Sequence, residues 1–177
     1  AGVAAPHPAG DRVYLGAEAT RRDYRSLDFY GNGPDSKKSG RTAYRHQDTL
    51  LEGIAALHPA RHLRMGGSVG GLWVDIGHGN HDEVASAETL FDDNSAPGLA
   101  RQTNYLTSSV FGQIDYRDDP NGPKSGGNYV SEFAWYRDQS LGGFGFRRWD
   151  IDIQQYLAIF NKTRRLALRA RMSMTDP

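Results

Sequence analysis

The chain has 177 residues, of which 38% are hydrophobic and 24% charged, a composition ordinary for one folded domain. Lysine plus arginine and aspartate plus glutamate each number 21, so there is no electrostatic case for nucleic acid as a partner; zero cysteines exclude a disulfide scaffold and a thiolate metal site. No run of about 18 apolar residues exists, which excludes a membrane-spanning helix but not a membrane barrel, whose strands dilute every apolar residue with a polar one.

Residues 1–11, small and proline-containing, read as a flexible lead, with neither the charged nor the apolar region of a signal peptide. Seven strands are expected from there on, at about 12–27, 42–57, 61–77, 104–117, 128–138, 146–160 and 164–175. In the first, Val13, Leu15, Ala17 and Ala19 share one side, and the later half is polar on both faces. The loop GNGPDSKKSGR follows, dense in turn formers. In the third strand Leu63, Met65, Val69 and Trp73 are odd but Leu72, Val74 and Ile76 even, which predicts a bulge or bend near Gly70 and Gly71. Residues 78–103 lack a sustained period and read as a long polar loop. The connection DDPNGPKSGG leads into Tyr129, Phe133 and Trp135, and QSLGG into the last hairpin.

That hairpin, residues 145–177, carries the clearest pattern. Trp149, Ile151, Ile153 and Leu157 alternate with Arg148, Asp150 and Asp152; after Asn161-Lys162-Thr163, Leu166, Leu168, Ala170, Met172 and Met174 alternate with Arg165, Arg169 and Arg171. A soluble sandwich also alternates, so period alone does not choose. Length does: the run exceeds an ordinary strand of roughly 5 to 6 residues and suits the roughly 9 to 11 of a bilayer-crossing one. The expected fold is therefore all-β, an antiparallel up-and-down transmembrane β-barrel. Trp149, Ile151, Ile153, Leu157, Leu166 and Leu168 would face lipid, and Arg148, Asp150, Asp152, Arg165, Arg169 and Arg171 would form an ion network in the lumen. Seven strands are odd where bacterial barrels close with an even number, so the chain is expected to be the N-terminal part of a larger barrel.

Candidate chemistry is sparse. HGNHDE, residues 78–83, resembles the Gly-Asn-His-Asp element of dinuclear metallophosphatases, but no Asp-x-His strand precedes it and no histidine follows His81, so a solvated loop is the expectation. His58 and His62 flank a turn as interfacial polar groups. MGGSVGG, residues 65–71, runs on into a strand rather than opening a helix, so close packing within the wall is expected instead of a phosphate cradle. Asp150 and Asp152 lie among arginines that keep both ionised, against acid–base work. With no Gly-x-Ser-x-Gly elbow and no cysteine, the chain is not expected to be an enzyme or to carry a cofactor or metal.

Two strings carry a resemblance. FGQIDYRDDPNGPKSGGNYVSEFAWYRD, residues 111–138, and FRRWDIDIQQYLAIFNKTRRLALRARM, residues 146–172, resemble the barrel of the bacterial surface antigen family, the outer-membrane assembly factors of BamA/TamA type. Asp115, Arg117, Asp118, Pro120, Pro123 and Gly126 match its Asn-, Pro- and Gly-bearing turn, with Tyr116 where Thr is common. Arg147, Tyr156, Leu157, Leu166, Ala167, Leu168 and Arg169 match the two strands after it, and residues 29–44 resemble the start of such barrels. The resemblance covers residues 12–175; the family's Arg-Gly-Phe lumen-loop motif does not occur. It implies a bacterial outer-membrane location, a full barrel of about 16 strands, and a role in outer-membrane protein insertion or polypeptide translocation. The partners it implies are outer-membrane lipids, other envelope proteins and client polypeptides. A passive pore or the membrane anchor of a larger, patatin-like protein is the alternative, and a soluble β-sandwich or ligand-binding barrel a third.

Overall fold

The computed structural model describes residues 12–34, 36–79, 84–92, 95–96, 98–160 and 164–176, and the backbone of residues 2–5. The chain is all-β. After the short β1 (Gly2–Ala5) come seven long strands: β2 (Val13–Phe29), β3 (Thr42–Ala60), β4 (Leu63–His78), β5 (Asn104–Asp115), β6 (Gly126–Asp138), β7 (Phe146–Ile159) and β8 (Arg164–Asp176). Each pairs antiparallel with the next, giving one up-and-down sheet in the order β1 to β8 that curls into a half-barrel. β1 lies in the stretch read as a lead and pairs with β2 from Gly2↔Glu18 to Ala5↔Leu15.

The ladders fix which residues share a face, because directly paired residues project to the same side. One set of rungs joins Leu57, Met65, Gly112, Ser131, Ile151 and Met172; another joins Val110, Phe133, Trp149 and Met174. The alternate set joins Asp48 to Val74, Ser109 to Ala134 and Arg148, and Asp152 to Arg171. The second set is the concave side. The Arg64 guanidinium on β4 lies 5.2 Å from the ring centre of Tyr14 on β2 and 5.1 Å from that of Phe111 on β5. Arg22 on β2 and Glu52 on β3 come within electrostatic reach of Tyr136 on β6. In a flat sheet, β2 and β6 would stand about 19 Å apart.

The sheet does not bulge at Gly70 and Gly71, correcting the expectation from the third strand. The β3–β4 and β4–β5 ladders run through both glycines without a break; the register shifts fall at Tyr24/Leu27 and Leu57/Ala60. Leu72, Val74 and Ile76 therefore do not change sides: they are even residues of an uninterrupted strand and face into the curl. The glycines serve curvature. A Cβ on Gly66 would meet Ala55 O at 2.3 Å, and one on Gly70 would meet Leu51 O at 2.3 Å, so β4 folds against β3 at a closeness a side chain forbids.

Among the described residues the interior holds no large apolar core. The buried hydrophobic residues among those described are all alanines, Ala43, Ala56, Ala87, Ala96 and Ala134, whereas the convex face exposes Leu51, Val69, Trp73, Val110, Ile153 and Leu168. Alanine burial contributes little, and the buried polar residues Asp48, Thr107, Ser109 and Asn128 lie on the concave side.

Candidate functional site

The concave wall is the chemically dense surface, and its pairs come from the two-residue period that puts unlike charges on one face. Arg148 Nε donates to Asp150 Oδ2 at 2.6 Å, and its guanidinium lies 5.2 Å from the Tyr136 ring centre. Asp152 accepts two bonds from Arg169 across the β7–β8 ladder, with Nε at 3.0 Å. Arg171 is the cross-strand partner of Asp152, while Arg165 donates instead to Pro123 O at 3.1 Å, tying β8 to the β5–β6 connection. The six residues expected to form an inner ion network therefore share one face, as two ion pairs, a neighbouring cation and a turn contact.

The network extends over strands that the sequence did not single out. Arg22 Nε donates to Asp48 Oδ1 at 2.9 Å and His46 Nε2 lies 3.2 Å from Asp48 Oδ2. The Ser68 and Ser109 hydroxyls meet at 2.9 Å, and Gln113 Nε2 donates to Asn128 Oδ1 at 2.9 Å. These pairs are separated by up to 41 residues in sequence, and only the registers bring them together. Asp48, Asp150 and Asp152 thus each accept from an arginine on the same face.

The two ends of the wall differ. At one end the connections are residues 61–62, 116–125 and 160–163; at the other they are residues 30–41, 79–103 and 139–145. In the first set, Asp118 Oδ1 accepts backbone N–H groups of Lys124 at 2.9 Å, Asp119 at 3.0 Å and Ser125 at 3.1 Å. Those backbone donors, Lys124 and Ser125 first, hold its carboxyl below the usual range. In the second set Asp138 organises residues 139–145: Oδ1 accepts Ser140 and Leu141 N–H at 2.9 Å, Oδ2 accepts Gly143 and Phe144 N–H at 3.0 Å, and the Thr103 hydroxyl donates to Oδ1. Desolvation pushes the Asp138 carboxyl up, but Thr103 and the backbone donors outweigh it and hold the group far below the carboxylate range.

The long connection 79–103 packs back on the wall. Ala43 N donates to Ala85 O at 2.9 Å, Phe91 stands edge-on to Phe29 at 4.9 Å, and Asn32 Nδ2 donates to Ser95 O at 3.0 Å. Between this connection and the concave face lies a cavity of about 320 Å³ whose walls include Phe29, Tyr44, His46, Ile76 and Leu99. The inward Ile76, above Leu72 and Val74 on β4, thus meets Leu99 of the long connection across this cavity.

Of the expected convex residues, Trp149 is 43% exposed, Ile153 44%, Leu157 43%, Leu166 43% and Leu168 52%, with Ile151 intermediate on the same face. Trp149 Nε1 donates to Ser131 Oγ at 2.9 Å, and Gln155 Oε1 accepts the hydroxyls of Tyr116 at 3.0 Å and Tyr129 at 2.5 Å. These polar groups of the convex face are thus paired with one another. Of HGNHDE, only His78 and Gly79 lie within the described residues; His78 Nδ1 contacts Glu88 Oε1 at 2.7 Å. His62 Nδ1 lies 3.0 Å from Asp115 O, and no metal-binding cluster occurs among the described residues. MGGSVGG is strand throughout.

Compared with known proteins, the chain matches no family model, no curated protein and no solved structure.

Proposed function

We propose that the chain is a wall segment of an outer-membrane β-barrel, its convex face in hydrocarbon and its concave face lining a wet lumen. The observation that carries this is the shape of the convex apolar band. On β4 it runs from Leu63 to Trp73, and Asp75 follows; on β7 it runs from Leu157 to Trp149, and Arg147 follows. Traced through the registers, Trp149 stands level with Phe133, Val110 and Gly67, well below Trp73. The slip is steepest between β4 and β7; over the six steps from β2 to β8 it is four residues at one end, Ala19 to Met174, and six at the other, Val13 to Leu166, or about one residue per strand, which at ~3.3 Å per residue and ~4.8 Å between strands corresponds to a tilt of about 35°. A horizontal slab crossed by tilted strands leaves this oblique stripe on the ladder, within the roughly 35–45° of membrane barrels. Leu63 to Trp73 spans about 33 Å along the strand and about 27 Å along the slab normal, close to the ~25 Å apolar belt of such barrels. Trp73, Trp135 and Trp149 border it on one side and Tyr116, beyond Ile114 on β5, on the other, where aromatic girdles belong.

The activity proposed for the barrel is outer-membrane protein insertion or polypeptide translocation of the surface-antigen type, supported by the family-like strings at residues 111–138 and 146–172. The inward packing of residues 79–103 favours a second reading, a pore narrowed at its mouth. Reconstitution of the full-length protein into vesicles and planar bilayers tests both. Faster insertion of an unfolded outer-membrane client into vesicles that contain the protein supports the first. Steady conductance without any effect on client insertion supports the second. A chain that stays monodisperse without detergent and never enters vesicles refutes the barrel itself.

A further inference from the structure

Beyond the apolar band, at the end with the long connections, the convex face of β6 and β7 gathers two arginines around an indole. Trp135 pairs directly with Arg147, and Arg137 is the next convex residue of β6. A cleft of about 440 Å³ is lined by Trp135, Tyr136, Arg137, Gly145, Phe146 and Arg147. Gly145 leaves the end of the cleft free of a side chain, while the Tyr136–Phe146 stack, with ring centres 4.3 Å apart and planes 6° from parallel, lies behind it on the concave face. Among the described residues no carboxylate forms an ion pair with either guanidinium. Leu106 stands opposite Arg137, and Asp176 stands opposite Arg147 as the one acidic neighbour on its rung.

We propose that Arg137 and Arg147 form a binding site for the phosphate of an anionic membrane lipid, with the Trp135 indole against its glycerol or acyl region. The inference rests on the membrane-barrel reading, and the height of the cleft supports it. Arg147 follows Trp149 by one convex position on β7, and Arg137 follows Trp135 by one on β6, so both guanidiniums emerge within about 7 Å of the end of the band. That is the headgroup level, where interfacial tryptophans sit. Two forked donors on adjacent paired strands match the oxygens of one phosphate bidentately, a geometry lysine does not reproduce. Arg137 and Arg147, with Asp176 opposite Arg147, give this corner of the convex face a net positive charge.

The test is native mass spectrometry of the full-length protein in detergent, titrated separately with phosphatidylglycerol, phosphatidylcholine and inorganic phosphate. Phosphatidylglycerol is expected to bind more tightly than phosphatidylcholine, and Arg137→Gln with Arg147→Gln to weaken it by about tenfold or more. Arg137→Lys with Arg147→Lys should keep part of the affinity, and Asp176→Asn should raise it. Equal binding of the two lipids, or an unchanged affinity in the Gln pair, overturns the headgroup site and leaves the barrel standing. Competition by inorganic phosphate at the same concentration as lipid overturns the lipid assignment. Binding of no lipid by a chain soluble without detergent overturns the barrel reading instead. If the Gln pair does not fold, the Lys pair and Asp176→Asn carry the test.

Discussion

Ile153→Arg separates the membrane account from any water-exposed one. Ile153 is the middle convex residue between Trp149 and Leu157, and it pairs with Tyr129 and Ala170. Its side chain is 44% exposed, so in water the substitution would be a surface change worth within about 0.5 kcal/mol either way. In a bilayer the same position lies at the midplane, where arginine costs about 2–4 kcal/mol. The cost should fall with distance from the middle: Leu168→Arg intermediate, and Leu166→Arg, at the end of the band, about 0–1 kcal/mol. Gln154→Arg places the charge on the concave face beside Asp152 and should cost less than about 1 kcal/mol. The assay is reversible denaturant unfolding from lipid vesicles, followed by the fluorescence of Trp73, Trp135 and Trp149. Equal costs for Ile153→Arg and Gln154→Arg, or no dependence on position along β7 and β8, would refute the reasoning.

Gly70→Ala should destabilise by about 1–3 kcal/mol in the same assay, because its Cβ meets Leu51 O at 2.3 Å, whereas Gly112→Ala, with nothing within 4 Å, should not. The Asp138 carboxyl is held below its ordinary value of 3.8, so its stabilisation of residues 139–145 is fully present above that value and is lost as pH falls through the lower folded one. Resistance of that connection to proteolysis should drop in acid, and Asp138→Asn should make it low at every pH. Phe91→Ala removes the edge-on contact with Phe29, worth about 0.5–1.5 kcal/mol, and should raise conductance in planar bilayers if residues 79–103 narrow the mouth. Asp152→Asn leaves Arg169 and Arg171 without their carboxylate; as the pair is solvent-accessible, stability should change by less than about 1 kcal/mol, while anion preference of the conductance should increase.

The strands were legible because a period of two is written directly in the residues. The expected limits 104–117, 128–138, 146–160 and 164–175 fall within about two residues of β5 to β8, and the pairing of β7 with β8 follows from the short turn between them. The alternation also gave the two faces of β7 and β8. Leu72, Val74 and Ile76 imply a change of side at Gly70 and Gly71 only if the inside of a barrel is wholly polar; they face the concave side, where Ile76 lines the cavity under residues 79–103. The remaining concave network, Arg22–Asp48, Ser68–Ser109 and Gln113–Asn128, depends on registers that no local pattern specifies. The role of Asp138 was hidden for a related reason. Its donors lie two to six residues downstream in a glycine-rich turn, and its Thr103 partner is 35 residues away. One available signal was a lone Asp at the end of an aromatic strand just before Ser-Leu-Gly-Gly, a capping position for a tight connection.

The medium at the convex face can be read residue by residue. The chain has zero cysteines, so single cysteines placed at each position from 149 to 157 can carry a nitroxide label without background. In vesicles of the full-length protein, collisions with oxygen, which concentrates in hydrocarbon, should peak at 149, 151, 153 and 157, and collisions with a water-soluble nickel chelate at 150, 152, 154 and 156. Oxygen access should be greatest at 153. A flat profile along the strand, or nickel access at 153 equal to that at 152, would contradict a lipid-facing convex side.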